Sequence, residues 1–297
     1  MKLINFCLGT CVLVCQPIAA EPLDVWPELA PAEMTRSLGE HLPLNPREQP
    51  PVTRIVKVTR PTLDYFPVEG DNGPAVLILP GGGFIKIVPD KEGSEAATWL
   101  NRLGMTAFVL RYRTEDRPDR PAWVKALQDA QRSLALIRAR ADSWQLDPDR
   151  IGLLGFSAGG QVAARLVSDR GNLAYSRVDA IDDVSHRPDF CLLIYPWKIY
   201  DSAQDRLVAG VTVDGNTPPT FLAHTHDDGS SSLGAVSFYV GLKRHRIPAE
   251  LHVYGNGGHG YGLRPVPGSQ ISSWPDHAGH WLKTGGYLTD AAAIERP

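Results

Sequence analysis

Cysteine is nearly absent from this sequence. Of its four cysteines, Cys7, Cys11 and Cys15 stand within the first twenty positions, and Cys191 alone lies beyond them. A single cysteine makes no internal disulfide. Inside the apolar run Phe190-Cys-Leu-Leu-Ile-Tyr195, Cys191 reads as a small buried hydrophobe rather than a catalytic thiol. Charge of one sign is lacking too: 30 basic residues against 33 acidic ones leave a net charge of −3. That balance gives no electrostatic footprint for nucleic acid or an anionic membrane, so neither is expected as a partner. There is no dinucleotide fingerprint and no Walker motif, which argues against a cradled phosphate. No internal repeat, low-complexity tract or inter-domain linker interrupts the 297 residues, so one catalytic domain is the economical expectation.

At the start, Lys2 precedes the mostly apolar run Leu3 to Val14, Pro17 breaks it, and Ile18-Ala19-Ala20 supplies small residues before Glu21. This pattern predicts a cleavable signal peptide over 1–20, too short to span a bilayer comfortably, and hence a secreted or periplasmic protein. Neither Cys11 nor Cys15 has the preceding small residue of a lipoprotein signal, so no lipid anchor is expected. Residues 21–51 are proline-rich and aperiodic, an arm laid over a domain formed by 52–297.

Within that domain, strand-like and helical patterns alternate. Arg54 to Val58 and Thr62 to Phe66 read as a hairpin turning at Arg60-Pro61. Further strands are expected at Ala75 to Leu79, Thr106 to Leu110, Ile151 to Leu154, Phe190 to Tyr195, Thr220 to His224 and Glu250 to Tyr254. Leu127, Ala130, Leu134 and Ile137 recur at helical spacing, as do Leu233, Val236 and Val240, and each set predicts an apolar stripe. Such alternation implies an α/β domain with a mostly parallel central sheet and helices on both faces, its ligands lying at the carboxyl ends of the strands.

Gly155-Phe156-Ser157-Ala158-Gly159 carries the strongest chemical signal. It follows the strand Ile151 to Leu154 and opens a helix-like segment, the context in which a serine is raised on a sharp strand-to-helix turn. Ser157 is therefore the expected nucleophile. A hydroxyl needs a base, and among nine histidines His259 lies in the glycine-rich loop Gly255 to Gly262 directly after the last strand, where loops face the nucleophile. The orienting acid belongs after the preceding strand, where Asp227 and Asp228 compete. Asp228 is preferred for its position four residues beyond the strand's end, leaving Asp227 as a turn or helix cap. His224-Thr-His226 beside these aspartates is also compatible with a metal, but no third ligand cluster accompanies it. No metal and no cofactor are expected. Gly81-Gly82-Gly83 follows the strand Ala75 to Leu79. The amides of Gly82 and Gly83, with that of Ala158, are the expected oxyanion donors.

These segments together resemble the carbohydrate-esterase branch of the α/β-hydrolases, the bifunctional acetylxylan and feruloyl esterases. The resemblance rests on LPGGGF (79–84), DKEG (90–93), TAFVLRYR (106–113), DPDRIGLLGFSAGG (147–160), RPDFCLLIYP (187–196), PPTFLAHTHDD (218–228) and PAELHVYGNGGHGYGL (248–263). It carries nucleophile, acid and base to Ser157, Asp228 and His259, and oxyanion donation to Gly82 and Gly83. One departure is the polar Gly229-Ser-Ser-Ser232, where the family often has a more hydrophobic, proline-containing stretch after the acid. The resemblance implies a serine esterase acting through an acyl-enzyme on short-chain, acetyl esters of a plant polysaccharide such as xylan, with an acetylated oligo- or polysaccharide as partner. Feruloyl or aryl ester hydrolysis, or peptidase or lipase activity on the same fold, are the alternatives. About two dozen residues separate Tyr195 from Thr220, leaving no evident cap domain and an open site. Trp197 and Tyr261 are the aromatics expected to stack on sugar.

Overall fold

The computed structural model describes residues 22–70, 72–115 and 121–288; the expected leader at 1–20 lies outside them. Eight strands form the central sheet: β1 (Leu23–Asp24), β2 (Thr62–Phe66), β3 (Gly73–Leu79), β4 (Thr106–Arg111), β5 (Leu146–Phe156), β6 (Phe190–Ile194), β7 (Thr220–Thr225) and β8 (Ala249–Tyr254). Their order is β1-β2-β4-β3-β5-β6-β7-β8. β1 and β2 run antiparallel to their neighbours and every other pairing is parallel. The helices are α1 (Glu95–Arg102), α2 (Val124–Ala139), α3 (Ala158–Leu166), α4 (Leu233–Arg244) and α5 (Trp274–Thr284).

Alternation along the strands explains the two layers of helices, because successive side chains leave a strand on opposite faces. Ala75, Leu77 and Leu79 of β3 join the core that includes Ala130 and Leu134 of α2, Val162 of α3 and Phe238 of α4. Val76 and Ile78 join the opposite core with Leu100 of α1 and Trp274 and Leu282 of α5. Both faces of the sheet are thus covered, as its near-continuous apolar strands require. Cys191 is fully buried in β6, and burial pushes its thiol up, away from the reactive thiolate.

Two expectations about packing fail. The hairpin does not form: β2 pairs with β1 and β4, whereas Ile55–Val56 pairs with Glu40–His41 and Lys86–Ile87 in a separate three-stranded sheet. The intervening amides of Thr59 and Arg60 both donate to the Ser37 carbonyl, at 3.0 and 2.8 Å, and Pro61 has no amide to offer a ladder. Helix α4 is also rolled from its expected orientation. Its buried residues are Gly234, Ala235, Phe238 and Leu242, while Leu233 and Val240 are 49% and 39% exposed. Gly234 allows this roll, since a Cβ there would lie 2.6 Å from Ile199 Cγ1. The arm enters the fold through β1, Val25 and Trp26, whose indole donates to Asp129 of α2 at 2.8 Å.

Candidate active site

Four strand ends converge at the carboxyl edge of the parallel sheet. Ser157 follows β5, Tyr195 follows β6, Asp228 stands shortly after β7, and His259 lies in the loop beyond β8. Ser157 is held at φ +52°, ψ −117°, a sparsely populated backbone state that costs ~1–3 kcal/mol and persists only where its surroundings over-determine it. Its amide donates to the Ile194 carbonyl at 3.1 Å, and its carbonyl accepts from Trp197 and Gln161. Close packing of the turn demands small neighbours: a Cβ on Gly159 would stand 2.0 Å from the Leu79 carbonyl oxygen. Gly159→Ala should therefore lower stability by about 1–3 kcal/mol, read as a lower melting temperature, and an unchanged melting temperature would contradict this packing.

Ser157 Oγ lies 2.7 Å from His259 Nε2, and His259 Nδ1 lies 2.6 Å from Asp228 Oδ2. The same Asp228 oxygen is 3.0 Å from His224 Nε2, and Oδ1 accepts from the Ser230 amide at 2.7 Å. An ionised carboxylate only accepts, so both imidazole nitrogens facing it carry their protons, leaving Nε2 of His259 free to accept from the serine. Burial alone would raise the Asp228 carboxyl, but the hydrogen bonds from His224, His259 and the Ser230 amide outweigh it and hold the group far below the usual carboxylate range. The polar loop after the acid is therefore bound in: Ser230 also accepts from the Lys198 amide at 2.9 Å.

The imidazole bonds Asp228, and Asp227 lies in the turn directly after β7, as expected, rather than at the cap of α4. It is exposed and accepts from the amides of Gly258 and Gly257 at 2.9 and 3.2 Å, so it anchors the backbone just before His259. His224 is buried against Asp228 while His226 is exposed, and among the described residues no group of three His, Cys, Asp or Glu is arranged to hold a metal.

The cleft over Ser157 encloses about 500 Å³ and is lined by Gly82, Gly83, Ile85, Lys86, Trp197 and His259 among others, a volume suited to a small ligand or one residue of a larger one. Gly82 and Gly83 adopt φ +131° and +67°, and a Cβ on Gly82 would collide with the Lys86 carbonyl at 2.1 Å. Trp197 packs near Phe84 at 5.9 Å between centroids, with the Lys198 ammonium 4.5 Å from its ring. Tyr261 does not belong to this cleft. It is 4% exposed and packs edge-on against Tyr195 at 4.3 Å. The glycines on either side let the chain turn inward there, so the expected sugar contact is a core residue. Among the described residues, the segment between β6 and β7 forms a short ribbon, Tyr200–Asp201 paired with Arg206–Leu207, rather than a cap domain.

Three residues around the site escape the sequence reading: His224 as a partner of the acid, Tyr195, and the buried Glu92. His224 stands four residues before the acid, a spacing that marks it only once Asp228 is chosen. Glu92 sits in a charged tetrapeptide, Asp90 to Gly93, a pattern that ordinarily signals a solvated surface.

A family model described as BD-FAE matches residues 64–180. An acetylxylan esterase from Xylanibacter ruminicola is 26% identical over 222 residues, covering 67% of this chain and 43% of the relative. Endo-1,4-beta-xylanase B from Butyrivibrio fibrisolvens is 31% identical over 210 residues, covering 62% of this chain and 32% of the relative. The chain thus spans less than half the length of these curated relatives. Among solved structures, an acetyl ester-xyloside bifunctional hydrolase from Caldicellulosiruptor lactoaceticus superimposes with a TM-score of 0.70 at 28% identity, covering 91% of this chain and 97% of that one.

Proposed function

We propose, from the premise that this chain is an α/β-hydrolase of the carbohydrate-esterase kind, that it is a serine esterase which removes short acyl groups, acetyl foremost, from xylan-like saccharides. The observation that carries the reading is the unbroken relay of Ser157, His259 and Asp228 at 2.7 and 2.6 Å. In it, Ser157 Oγ attacks the ester carbonyl carbon while His259 Nε2 takes the hydroxyl proton. Asp228 holds the imidazole in the required tautomer and stabilises the imidazolium. The oxyanion is received by the amides of Gly82, Gly83 and Ala158. Collapse of the tetrahedral adduct breaks the bond to the alkoxy oxygen, which leaves with the proton from His259. Water, deprotonated by the same imidazole, then releases the carboxylic acid from Ser157.

Acetyl is the acyl group favoured because similar proteins are an acetylxylan esterase and an acetyl ester-xyloside hydrolase, and the cleft opens at the sheet edge, which suits a saccharide approaching from outside. Trp197, exposed to the cleft beside Phe84, is placed to stack on a sugar ring. The substrate is then an acetylated oligo- or polysaccharide, and the leader expected at 1–20 is what supports a place of work outside the cytoplasm. A panel of acetylated xylo-oligosaccharides, methyl ferulate, and short- and long-chain nitrophenyl esters tests the reading. Highest kcat/KM on the acetyl esters is expected. Preference for methyl ferulate would move the assignment to an aryl esterase, and preference for long chains would remove the saccharide altogether.

A further inference from the structure

Glu92 is a buried carboxylate, 4% exposed, that the relay of serine, histidine and aspartate leaves without a task. Two other buried carboxylates away from the relay face fixed cations: Asp129 lies against Arg113, and Asp182 against Arg132. Glu92 meets neutral donors instead. Its Oε2 accepts from the Gly81 amide at 2.7 Å and its Oε1 from the Tyr195 hydroxyl at 2.8 Å. Tyr195 Oη in turn accepts from the Gly262 amide at 2.9 Å. Since each of these partners points a proton towards it, the carboxylate serves as acceptor on both oxygens, the role of its ionised form. Removing a carboxylate from water without a paired cation costs several kcal/mol, and a purely structural site is met more cheaply by apolar packing.

The places joined by this chain of hydrogen bonds explain the expense. Gly81 directly precedes Gly82 and Gly83, and a Cβ on it would lie 2.5 Å from Glu92 Oε2 and 2.8 Å from Ser157 Cβ. Gly262 lies three residues beyond His259, and the Tyr195 ring stands edge-on to the His259 imidazole at 5.0 Å. Glu92 itself occupies a π-helical turn, Asp90–Ser94, at the start of α1, a rare wide turn found disproportionately at functional sites. We infer that Glu92 is a positioning residue that ties the oxyanion loop to the histidine loop, and that its charge favours the imidazolium formed on His259 during acyl transfer. The inference rests on the roles proposed above for Ser157 and His259.

The ionisable groups facing Glu92 are Tyr195, His259 and Lys91, with Tyr112 and Tyr261 nearby. Burial pushes its carboxyl up from the ordinary value, against the pull of the Tyr195 and Gly81 hydrogen bonds and of His259 and Lys91. A proton taken up by Glu92 on Oε1 turns that oxygen into a donor, so the Tyr195 hydroxyl must give up its bond as donor there, and the negative charge facing His259 is lost. Its protonation therefore contributes to the loss of activity on the acid side.

The experiment compares Glu92→Gln and Tyr195→Phe with the wild type on nitrophenyl acetate over a range of pH. Glu92→Gln should lower kcat by about 10²-fold, the scale of an ångström-level misplacement, with KM little changed. It should also move the acid limb of kcat/KM to lower pH, because glutamine neither binds the proton nor favours the imidazolium. Tyr195→Phe keeps the ring but deletes a hydrogen bond that stabilises the ionised carboxylate, so its acid limb should move to higher pH. Opposite displacements are not produced by general loosening of the fold. A folded Glu92→Gln enzyme with unchanged kcat and acid limb would overturn the inference. If that variant does not fold, an unmoved acid limb in Tyr195→Phe does so. Labelling of wild-type Ser157 by a fluorophosphonate separates the two readings. An unlabelled, inert wild type overturns the esterase assignment and the role of Glu92 with it, whereas a labelled, active wild type with indifferent variants overturns the role of Glu92 alone.

Discussion

Ser157→Ala should melt near the wild-type temperature and lose about 10⁴–10⁶-fold in kcat, the range seen when a triad nucleophile is deleted. The substitution removes one oxygen from a residue whose backbone bonds to Ile194, Gln161 and Trp197 remain, which is why the fold should survive. Catalysis should not, because no other hydroxyl is recorded in hydrogen-bond contact with His259 Nε2 among the described residues. Residual turnover would come from the amides of the oxyanion loop acting on bound ester and water. Mass spectrometry after fluorophosphonate treatment should find the adduct on the wild-type peptide containing Ser157 and none on the variant. Retention of more than a tenth of wild-type turnover would place the nucleophile elsewhere.

The second large effect is expected at Asp228. Asp228→Asn should reduce kcat by roughly 10⁴, since an amide facing His259 supports the wrong imidazole tautomer. It should cost stability as well. The carboxylate accepts from His259 and His224 on one oxygen and from the Ser230 amide on the other. Turned one way, the asparagine NH2 meets the Ser230 amide, a donor; turned the other, it is satisfied only when both histidines give up the tautomers they hold in the wild type. A buried unsatisfied group costs about 1–3 kcal/mol. The group's depressed titration means that this stabilisation is complete above the ordinary carboxylate pKa of about 4 and declines as pH falls below it. The gap in melting temperature between wild type and variant should therefore narrow in acid. Asp227→Asn forms the contrast. Its partners are the amides of Gly257 and Gly258, so it should show a modest loss in kcat, about tenfold or less on the scale of one weakened backbone anchor. If Asp227→Asn were the inert variant and Asp228→Asn the active one, the acid would be misassigned by one position.

Much of this arrangement is legible in residue order. Apolar, strand-like runs mark seven of the eight strands of the central sheet, all but β1, because a sheet covered on both faces needs continuous apolar runs. Gly155 to Gly159 marks the elbow, because only small residues allow a strand to turn into a helix at that radius. His259 is found by its glycines and by its place after the last strand. All of these are local: the sterics of a few consecutive residues decide them. The pairing of β2 is not local. Thr62 to Phe66 has the same composition whether it closes a hairpin or joins β4, and the choice falls to the Ser37 carbonyl, which takes the two turn amides. The roll of α4 likewise depends on how closely Gly234 can approach Ile199, which no helical spacing encodes.

The same division runs through the active site. By itself the sequence determined the chemistry on offer, a serine at an elbow with a histidine and an aspartate in later loops, since those side chains and turns are written residue by residue. Tertiary structure set Asp228 rather than Asp227 against His259, sent Tyr261 into the core, and gave His224 and Glu92 their partners. Each of those outcomes depends on distances of about 3 Å between segments far apart in the chain: Asp228 to His259, and Glu92 to Tyr195. A hydrogen bond is directional and lost within an ångström, so residue type states what a side chain can donate or accept, and only the packed sheet determines what it meets.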